Sequence, residues 1–426
     1  MPLWRVTGGN ELRGSLEVQG SKNAVLPILA ASLVGGGESR ITHCPMLRDV
    51  DASMEILRYL GCSVMQNGGE VLVNSDGMSR NHIPHTLMLK MRSSVMYLGA
   101  ILARCGEVRL SAPGGCELGS RPIDLHLKAL RELGAEVSES GGEVCCRASR
   151  LTGGHINLDF PSVGATENVM LAACAAEGTT VLTNAAREPE IVDLQSFLNA
   201  KGASVHGAGS PEICIEGFRP RPVTEHRVLP DRIAGATYLC AAAAAGGDVR
   251  LTGVCPAHIE TVLSALREMG CAVIVDGDAV RLRRYGPMRA PRPVITRPYP
   301  GFPTDAQALL MAASLRAEGT SVFVENIFES RFRHVPELRR FGADIRVEGR
   351  VAMVSGVSAL SGAPVTATDL RGGAAMVLAG LSAEGETLVY DQGHIERGYA
   401  HFAESLSRLG ADVRRTEEDA EQSPPV

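Results

Sequence analysis

The stretch "LRELGAEV", Leu130–Val137, decides the fold because it recurs through the chain. An amphipathic run ends at a glycine and continues into a β-branched residue, which predicts a helix with a glycine C-cap followed by a strand. The glycine returns at nearly even spacing, as Gly61, Gly134, Gly202, Gly270, Gly342 and Gly410. Six copies of one structural unit are therefore predicted.

A second glycine, here called the marker glycine, precedes the first at a similar distance in every copy. The marker glycines are Gly37, Gly106, Gly178, Gly247, Gly319 and Gly385. Alternating β-branched residues follow each one, and an alanine-, leucine- and methionine-rich stretch that is apolar on nearly all sides precedes it. Each unit is therefore expected to contain a buried helix, a strand, an outer amphipathic helix and a hairpin.

The sixth copy lacks its final strand, and the N-terminus offers one. "VTGGNELRGSLEVQGSK", from Val6, matches "VSGVSALSGAPVTATDLR", from Val354, in the spacing of its glycines. We therefore expect residues 1–21 to complete the last unit. The predicted fold is α/β, with six βαβαββ-type repeats in two domains of three, one spanning 22–229 and the other 1–21 and 230–416. Residues 417–426 read as a disordered acidic tail.

Composition excludes several classes of protein. The net charge is −6, charges of both signs are well mixed along the chain, and no block of lysines and arginines occurs. These features argue against a surface that binds nucleic acid or membrane. The 11 cysteines contain no C-x-x-C pair, so neither a zinc site nor a disulfide framework is indicated. No run resembling a secretory leader opens the chain. A cytoplasmic protein without metal or cofactor is expected.

The predicted buried helices begin at equivalent places, at distances before their marker glycines that agree to within one position. The residues at these places are Lys22, Arg92, Gly164, Arg232, Asp305 and Arg371. Helix N-termini favour anions, so cations placed there indicate anionic ligands. The alternative is that these long basic side chains simply extend to water.

The outer helices provide a second set of cations. Arg121 and Arg397 lie at the same distance before the helix-ending glycine of their copies, and Arg331 lies two positions closer to its own. Arginines from both halves at matching positions predict a cleft between the domains that closes on a multiply charged anion.

Two acids stand among these cations, Asp305 in "GFPTDAQ" and Asp369 in "ATDLRGG". Each is equally well explained as an ordinary helix N-cap. Near a ring of cations, either would stay ionised and could accept a proton from a substrate hydroxyl.

Cys116 lies in a glycine-rich loop, "APGGCELGSRPIDLH", whereas other cysteines lie in alanine-rich stretches. A thiol near Arg121 and a helix start would have its pKa lowered, making it available as a proton donor or nucleophile. The alternative is a small side chain that fits a tight loop.

These motifs resemble the family of UDP-N-acetylglucosamine 1-carboxyvinyltransferases, which are enolpyruvyl transferases. The resemblance covers residues 1 to about 415 and rests on "GSKNAVLPILAASL", "PGGCELGSRPIDLH", "PSVGATEN", "GFPTDAQ", "ENIFESRFRH", "DLRGG" and "ERGYAHF". It implies a two-domain inside-out α/β barrel that acts as a monomer. It also implies transfer of the enolpyruvyl group of phosphoenolpyruvate to the 3'-hydroxyl of UDP-N-acetylglucosamine, the first committed step of peptidoglycan synthesis.

The resemblance also assigns roles to residues. Lys22 and Asn23 would contact phosphoenolpyruvate, Arg121 and Arg397 would hold its phosphate, and Arg331 and Arg371 would lie around its carboxylate. Asp305 would be the general base and Cys116 the proton donor, with Asp369, Lys22 and Arg397 completing the catalytic set. The nucleotide-sugar site would comprise Arg92, Arg121, Pro122, Ile123, Asp124, Leu125, Ser162, Val163, Gly164, Asp305 and Ile327.

One departure and two alternatives remain. Some family members carry a lysine before the "SVGAT" segment, where this chain has Phe160 and Pro161, so the side chains at this point offer no cationic contact. A 5-enolpyruvylshikimate-3-phosphate synthase would share the fold and the donor but lack the cysteine loop. A non-catalytic paralogue that binds the nucleotide sugar is the other alternative.

Overall fold

The computed structural model describes residues 2–111 and 123–417. Contacts between Cα atoms divide it into two compact units. The first unit runs from Gly20 to Leu229, and the second comprises the chain up to Gln19 and from Pro230 onward. That the units are independently folding domains, with the boundaries predicted above, stays a prediction.

The first two strands belong to the second unit, and the elements that follow them up to Arg227 belong to the first unit. In chain order these elements are β1 (Pro2–Thr7), β2 (Leu12–Glu17), α1 (Lys22–Ala31), β3 (Glu38–Thr42), α2 (Arg48–Leu60), β4 (Ser63–Asn67), β5 (Glu70–Asn74), β6 (His82–Ile83), α3 (His85–Lys90), α4 (Tyr97–Cys105), β7 (Glu107–Ser111), α5 (Asp124–Glu132), β8 (Glu136–Ser140), β9 (Glu143–Arg147), β10 (His155–Asn157), α6 (Val163–Ala173), β11 (Thr179–Thr183), α7 (Pro189–Lys201), β12 (Ala203–His206), β13 (Glu212–Phe218) and β14 (Val223–Arg227).

The remaining elements all lie in the second unit. They are α8 (Arg232–Ala245), β15 (Gly247–Thr252), α9 (Glu260–Glu268), β16 (Ala272–Asp276), β17 (Ala279–Arg284), β18 (Val294–Ile295), α10 (Thr304–Ser314), β19 (Thr320–Val324), α11 (Val335–Arg339), β20 (Asp344–Glu348), β21 (Val351–Ser355), β22 (Pro364–Thr366), α12 (Leu370–Ser382), β23 (Glu386–Tyr390), α13 (Phe402–Arg408) and β24 (Asp412–Glu417). Short 3₁₀ segments cover Arg92–Met96, Pro256–Ile259, Arg331–His334 and Ile395–Arg397.

The described residues form six four-stranded sheets with one shared arrangement, which confirms the predicted α/β fold and its six repeats. In each sheet the central strand follows a marker glycine. A parallel strand lies on one side of it, and two antiparallel strands lie on the other; these two strands form a hairpin in five sheets and are β1 and β24 in the sixth. The strand orders are β14-β3-β5-β4, β6-β7-β9-β8 and β10-β11-β13-β12 in the first unit, and β2-β15-β17-β16, β18-β19-β21-β20 and β22-β23-β1-β24 in the second.

The N-terminus completes the sixth repeat, but only through β1. This strand lies antiparallel between β23 and β24, with Leu3 opposite Tyr390 and Thr7 opposite Asp412. The expectation that all of residues 1–21 belong to the last repeat was wrong, because β2 pairs parallel with β15 of the fourth repeat. The matching segment from Val354 explains this, since it spans the end of one repeat, β21, and the start of the next, β22.

The helices that precede the marker glycines form the cores, as predicted. In the second unit α8, α10 and α12 pack on one another, and nearly all their residues are buried. In the first unit α4 packs on both α1 and α6. Five of these helices begin within one residue of the predicted positions, whereas α4 begins at Tyr97 because Arg92–Met96 forms a 3₁₀ turn. None of the described helices is long and apolar enough to cross a membrane.

Candidate active site

Lys22 is the first residue of α1 and is paired with a carboxylate. Its Nζ lies 3.0 Å from Oδ2 of Asp49, the second residue of α2, and the two side chains are only 10% and 1% exposed. Asn23 follows it and is half-buried. Lys22 therefore does not extend into water, because its ammonium is paired with Asp49, and an anion site at this helix start stays a prediction. Asp49 was not predicted, because no local sequence pattern indicates that Lys22 has a partner in the next helix.

The predicted residues of the second repeat lie partly outside the described residues. Cys116, Arg121 and Pro122 lie outside the described residues, as does the side chain of Arg92, whose backbone begins the 3₁₀ segment Arg92–Met96. Ile123 precedes α5, which begins at Asp124 and continues through Leu125. Asp124 is exposed, while its two neighbours are half-buried.

Ser162, Val163 and Gly164 form the start of α6, as predicted. The hydroxyl of Ser162 caps the helix by accepting the N–H of Ala165 at 3.4 Å. A Cβ atom at Gly164 would lie 3.0 Å from Cε1 of His126, so the glycine leaves room for that buried ring.

His126 was not singled out from the sequence. Its Nδ1 accepts a hydrogen bond of 2.7 Å from the amide nitrogen of Asn168, and burial lowers the pKa of its imidazole to about 4. The ring is therefore neutral at physiological pH, with its proton on Nε2.

Asp305 joins the two buried arginines of the second unit. Its Oδ1 accepts a hydrogen bond of 3.0 Å from Nη2 of Arg331, and its Oδ2 accepts one of 3.3 Å from Nη2 of Arg371. Asp305 is the second residue of α10, after Pro303 at the N-cap, so the N-cap alternative is wrong for this residue. Its side chain is 30% exposed, whereas each arginine side chain is 3% exposed.

The two arginines keep unused donor groups. Within the part of the chain that the structure describes, Nε of Arg331 and both Nε and Nη1 of Arg371 are buried without a hydrogen-bond partner. Burial opposes the charge of Arg371, but Tyr399, Asp305 and Asp231 hold its pKa above the ordinary value. A buried guanidinium pair with free donors suits a carboxylate or phosphate ligand.

Asp369 fits the N-cap alternative. It precedes α12, and its Oδ1 accepts the N–H groups of Arg371 at 2.9 Å and Gly372 at 3.1 Å. Burial raises the pKa of Asp369, but Arg331 and these backbone donors, together with His334, bring it below the usual value. The carboxylate therefore stays ionised and fixes the helix start that carries Arg371.

Ile327 and Arg397 lie on the loops that follow β19 and β23. Each loop is tied to a buried acid that sequence analysis missed, Glu325 and Asp391 respectively. The available signal was positional, since both acids lie at the same distance after a marker glycine.

The second unit thus brings together Asp305, Arg331 and Arg371, with Asp369 at the start of the same helix as Arg371. This arrangement can bind an anion and hold a carboxylate ready to accept a proton. Among the described residues no cluster of His, Cys, Asp or Glu side chains could hold a metal ion.

Comparisons with known proteins find relatives that match nearly the whole chain. The family described as EPSP synthase (3-phosphoshikimate 1-carboxyvinyltransferase) matches residues 6–406. UDP-N-acetylglucosamine 1-carboxyvinyltransferase 2 of Caldanaerobacter subterraneus subsp. tengcongensis is 48% identical over 415 residues, which cover 97% of this chain and 100% of that protein. UDP-N-acetylglucosamine 1-carboxyvinyltransferase 1 of Symbiobacterium thermophilum is 51% identical over 96% of this chain and 94% of its own.

Solved structures agree on the architecture. The enolpyruvyl transferase NikO from Streptomyces tendae superposes with a TM-score of 0.86 at 29% identity, covering 97% of this chain and 99% of its own. EPSP synthase from Acinetobacter baumannii, at 20% identity, has a TM-score of 0.73 over 98% of this chain and 100% of its own, and supports the fold alone.

Proposed function

The chain belongs to the enolpyruvyl transferases and, among them, to the UDP-N-acetylglucosamine 1-carboxyvinyltransferase family; on that premise we propose that it transfers the enolpyruvyl group of phosphoenolpyruvate to the 3'-hydroxyl of UDP-N-acetylglucosamine and releases phosphate. The observation that carries this proposal is the identity of 47–51% with proteins of that name over nearly the whole chain. The reaction would be the first committed step of peptidoglycan synthesis, and so would support cell shape and division.

The second unit supports the proposal through its arginine pair. Arg331 and Arg371 would bind the carboxylate of phosphoenolpyruvate, because buried guanidinium donors match that group in charge and geometry. Asp305 contacts both arginines, and its side chain is more exposed than either of theirs. It would therefore be able to reach the sugar hydroxyl and take its proton.

The family resemblance supplies the remaining proposed contacts. Lys22 and Asn23 would bind phosphoenolpyruvate, and Arg121 and Arg397 would hold its phosphate. Arg92, the run from Arg121 to Leu125, the α6 start at Ser162 to Gly164, and Ile327 would bind the nucleotide sugar.

The proposed reaction balances with two acid–base groups. Cys116 would donate its proton to the methylene carbon of phosphoenolpyruvate, making an oxocarbenium-like centre at the neighbouring carbon. The 3'-oxygen would form a bond to that centre as Asp305 takes the hydroxyl proton. Loss of phosphate, which takes up the proton held by Asp305, and return of one proton from the new methyl group to the Cys116 thiolate would restore the double bond.

Two further parts of the proposal concern where and how the protein works. We expect the protein to act as a monomer. We expect it in the cytoplasm, where both charged substrates are found. Sedimentation and cell fractionation would test these points, and a dimer or a secreted pool would contradict them.

The test is phosphate release from phosphoenolpyruvate with UDP-N-acetylglucosamine, in the wild type and in Cys116→Ser. Activity of the wild type with shikimate 3-phosphate instead of the nucleotide sugar would indicate the other transferase. Binding of the nucleotide sugar without phosphate release would indicate a non-catalytic paralogue. Full activity of Cys116→Ser would remove the proton-donor role of the thiol but leave the transferase assignment intact.

Fosfomycin, an epoxide that alkylates the loop thiol of this family, offers a second test. We expect a mass increase of one adduct on Cys116 and loss of activity. Alkylation of another cysteine, with Cys116 unmodified, would contradict the proposed place of this thiol.

A further inference from the structure

The residue six positions after the marker glycine directly follows the central strand of its repeat. The structure describes it in five repeats, as His43, Asn184, Gly253, Glu325 and Asp391, whereas Ala112 of the second repeat lies outside the described residues. His43, Asn184 and Gly253 have positive φ angles of 57°, 53° and 61°, so in those repeats the backbone itself makes the turn. In the fifth and sixth repeats the position holds a fully buried carboxylate instead.

Glu325 joins two segments of the candidate site. Its Oε1 accepts the N–H of Ile327 at 2.8 Å, the N–H of Phe328 at 3.1 Å and the hydroxyl of Thr296 at 2.9 Å. Its Oε2 accepts the hydroxyl of Thr304 at 3.0 Å. Thr304 is the first residue of α10 and directly precedes Asp305. One side chain thus fixes the Ile327 loop against the segment that carries Asp305.

Asp391 does the same for the loop of the sixth repeat. Its Oδ1 accepts the N–H of His394 at 2.7 Å, and its Oδ2 accepts the N–H of Ile395 and the indole N–H of Trp4, each at 3.2 Å. These bonds hold the start of the 3₁₀ segment Ile395–Arg397, which ends at Arg397. Trp4 lies in β1, so the strand that closes the sheet also holds the acid in place.

Neither acid forms an ion pair with a described residue. A buried carboxylate without a cation is costly unless several donors converge on it, and here backbone N–H and neutral side-chain groups do so. A turn alone could be made by a residue with positive φ, as three other repeats show. Glu325 and Asp391 also accept hydrogen bonds from other segments of the chain, Thr304 and Trp4 respectively. A residue that only makes the turn would not need these bonds.

We propose that Glu325 and Asp391 are positioning residues for substrate binding, each holding one loop of the second unit in its working geometry. Glu325 sets Ile327 and Asp305 for the nucleotide sugar, and Asp391 sets Arg397 for the phosphate of phosphoenolpyruvate. This inference rests on the function proposed above.

The two proposed roles predict that substitution of each acid mainly raises the KM for a different substrate. Glu325→Gln replaces a charged acceptor by a neutral one, and we expect it to raise the KM for UDP-N-acetylglucosamine by about tenfold with a smaller effect on phosphoenolpyruvate. Asp391→Asn is expected to raise the KM for phosphoenolpyruvate by about tenfold with a smaller effect on the nucleotide sugar. Glu348→Gln removes an exposed carboxylate of the same repeat as Glu325 and serves as the control.

A role limited to stability predicts something different. It would lower Tm and the active fraction in both variants but leave both KM values at the wild-type level, and that result would overturn the proposal. An equal rise in both KM values for either variant would also overturn it. If the wild type itself releases no phosphate from the two substrates, the proposed function fails instead.

Thr304→Val tests the Glu325 link without touching either acid. It removes the donating hydroxyl and keeps the branched shape, so it should raise the KM for the nucleotide sugar in the same way as Glu325→Gln. If both changes act through the hydrogen bond between Glu325 and Thr304, the double variant should be no worse than the more affected single variant. Effects of the two changes that multiply would show that Glu325 does not act through Thr304.

Discussion

Asp305 shows how one residue can be read two ways from sequence and one way from structure. Both acids of the predicted site were compatible with helix capping. Asp369 does cap α12, while Asp305 lies one residue inside α10 and turns to Arg331 and Arg371. The difference depends on which residue starts the helix, a distinction of one position that periodicity cannot resolve.

The ion pair between Lys22 and Asp49 gives a prediction about stability. Asp49→Asn leaves a nearly buried ammonium without its carboxylate, so the free energy of unfolding should fall by about 3 kcal/mol, measured by chemical denaturation. Asp51→Asn, an exposed acid of the same helix, is the matched control and should have little effect. Equal stability of the two variants would mean that the pair does not hold α1 to α2.

His126 predicts a pH dependence of stability. The pKa of its buried imidazole lies near 4 in the folded protein and near 6.5 when unfolded. The unfolded chain therefore binds more protons between these values, and stability falls as pH drops from about 6.5 to about 4. In His126→Gln the melting temperature should fall less steeply over that range. His155→Gln, at an exposed site, should keep the wild-type slope, and an unchanged slope in His126→Gln would contradict the assignment.

At the scale of elements, close approach of helices distinguishes two glycines. A Cβ atom at Gly99 of α4 would clash with the backbone of Asn168 in α6, whereas one at Gly235 of α8 would meet only methyl groups at 3.8 and 3.9 Å. Gly99→Ala should therefore destabilise the protein by about 1–3 kcal/mol. Gly235→Ala should stabilise it by about 0.5–1 kcal/mol, through the entropy of the unfolded chain. Thermal melts of both variants test the pair, and the same sign in both would refute the packing argument.

The elements also show where reasoning from sequence works and where it fails. Local signals sufficed for the buried helices and marker glycines, because a glycine C-cap and an apolar run are properties of neighbouring residues. The place of β2 was missed because its partner, β15, follows far along the chain, and the preference of a strand for one parallel edge leaves no local trace. Asp49 was missed because its partner, Lys22, lies in another helix, whereas Glu325 and Asp391 carry a positional signal, their equal distance after a marker glycine, that becomes meaningful only once the loops are seen.

At the scale of the whole molecule, the register of β1 predicts a tolerated rearrangement. Pro2 lies opposite Glu417 across the antiparallel pair of β1 and β24, so a short turn can join them. We consider a permuted chain in which a short turn joins Glu417 to Pro2 and the new termini lie at the exposed turn around Gly277. It should fold with a melting temperature close to that of the parent.

The control for this experiment opens the chain inside α8, whose residues are almost all buried. That permutant should fail to fold, because its new charged termini would lie in the core. If both permutants fold equally well, or neither folds, the continuity of β1 with β24 is not what holds the last sheet.

The position of β1 between β23 and β24 also determines when this strand can fold during synthesis of the chain. Its partners, β23 and β24, are synthesised much later than β1, and at about 5–20 residues per second they follow it by roughly 20 to 80 seconds. During that interval the strand, with Leu3, Trp4 and Val6 destined for the interior, has no place in any finished sheet. β1 is thus sheltered only once β23 and β24 have been made, and until then a cell making this protein must keep the strand from pairing with other chains.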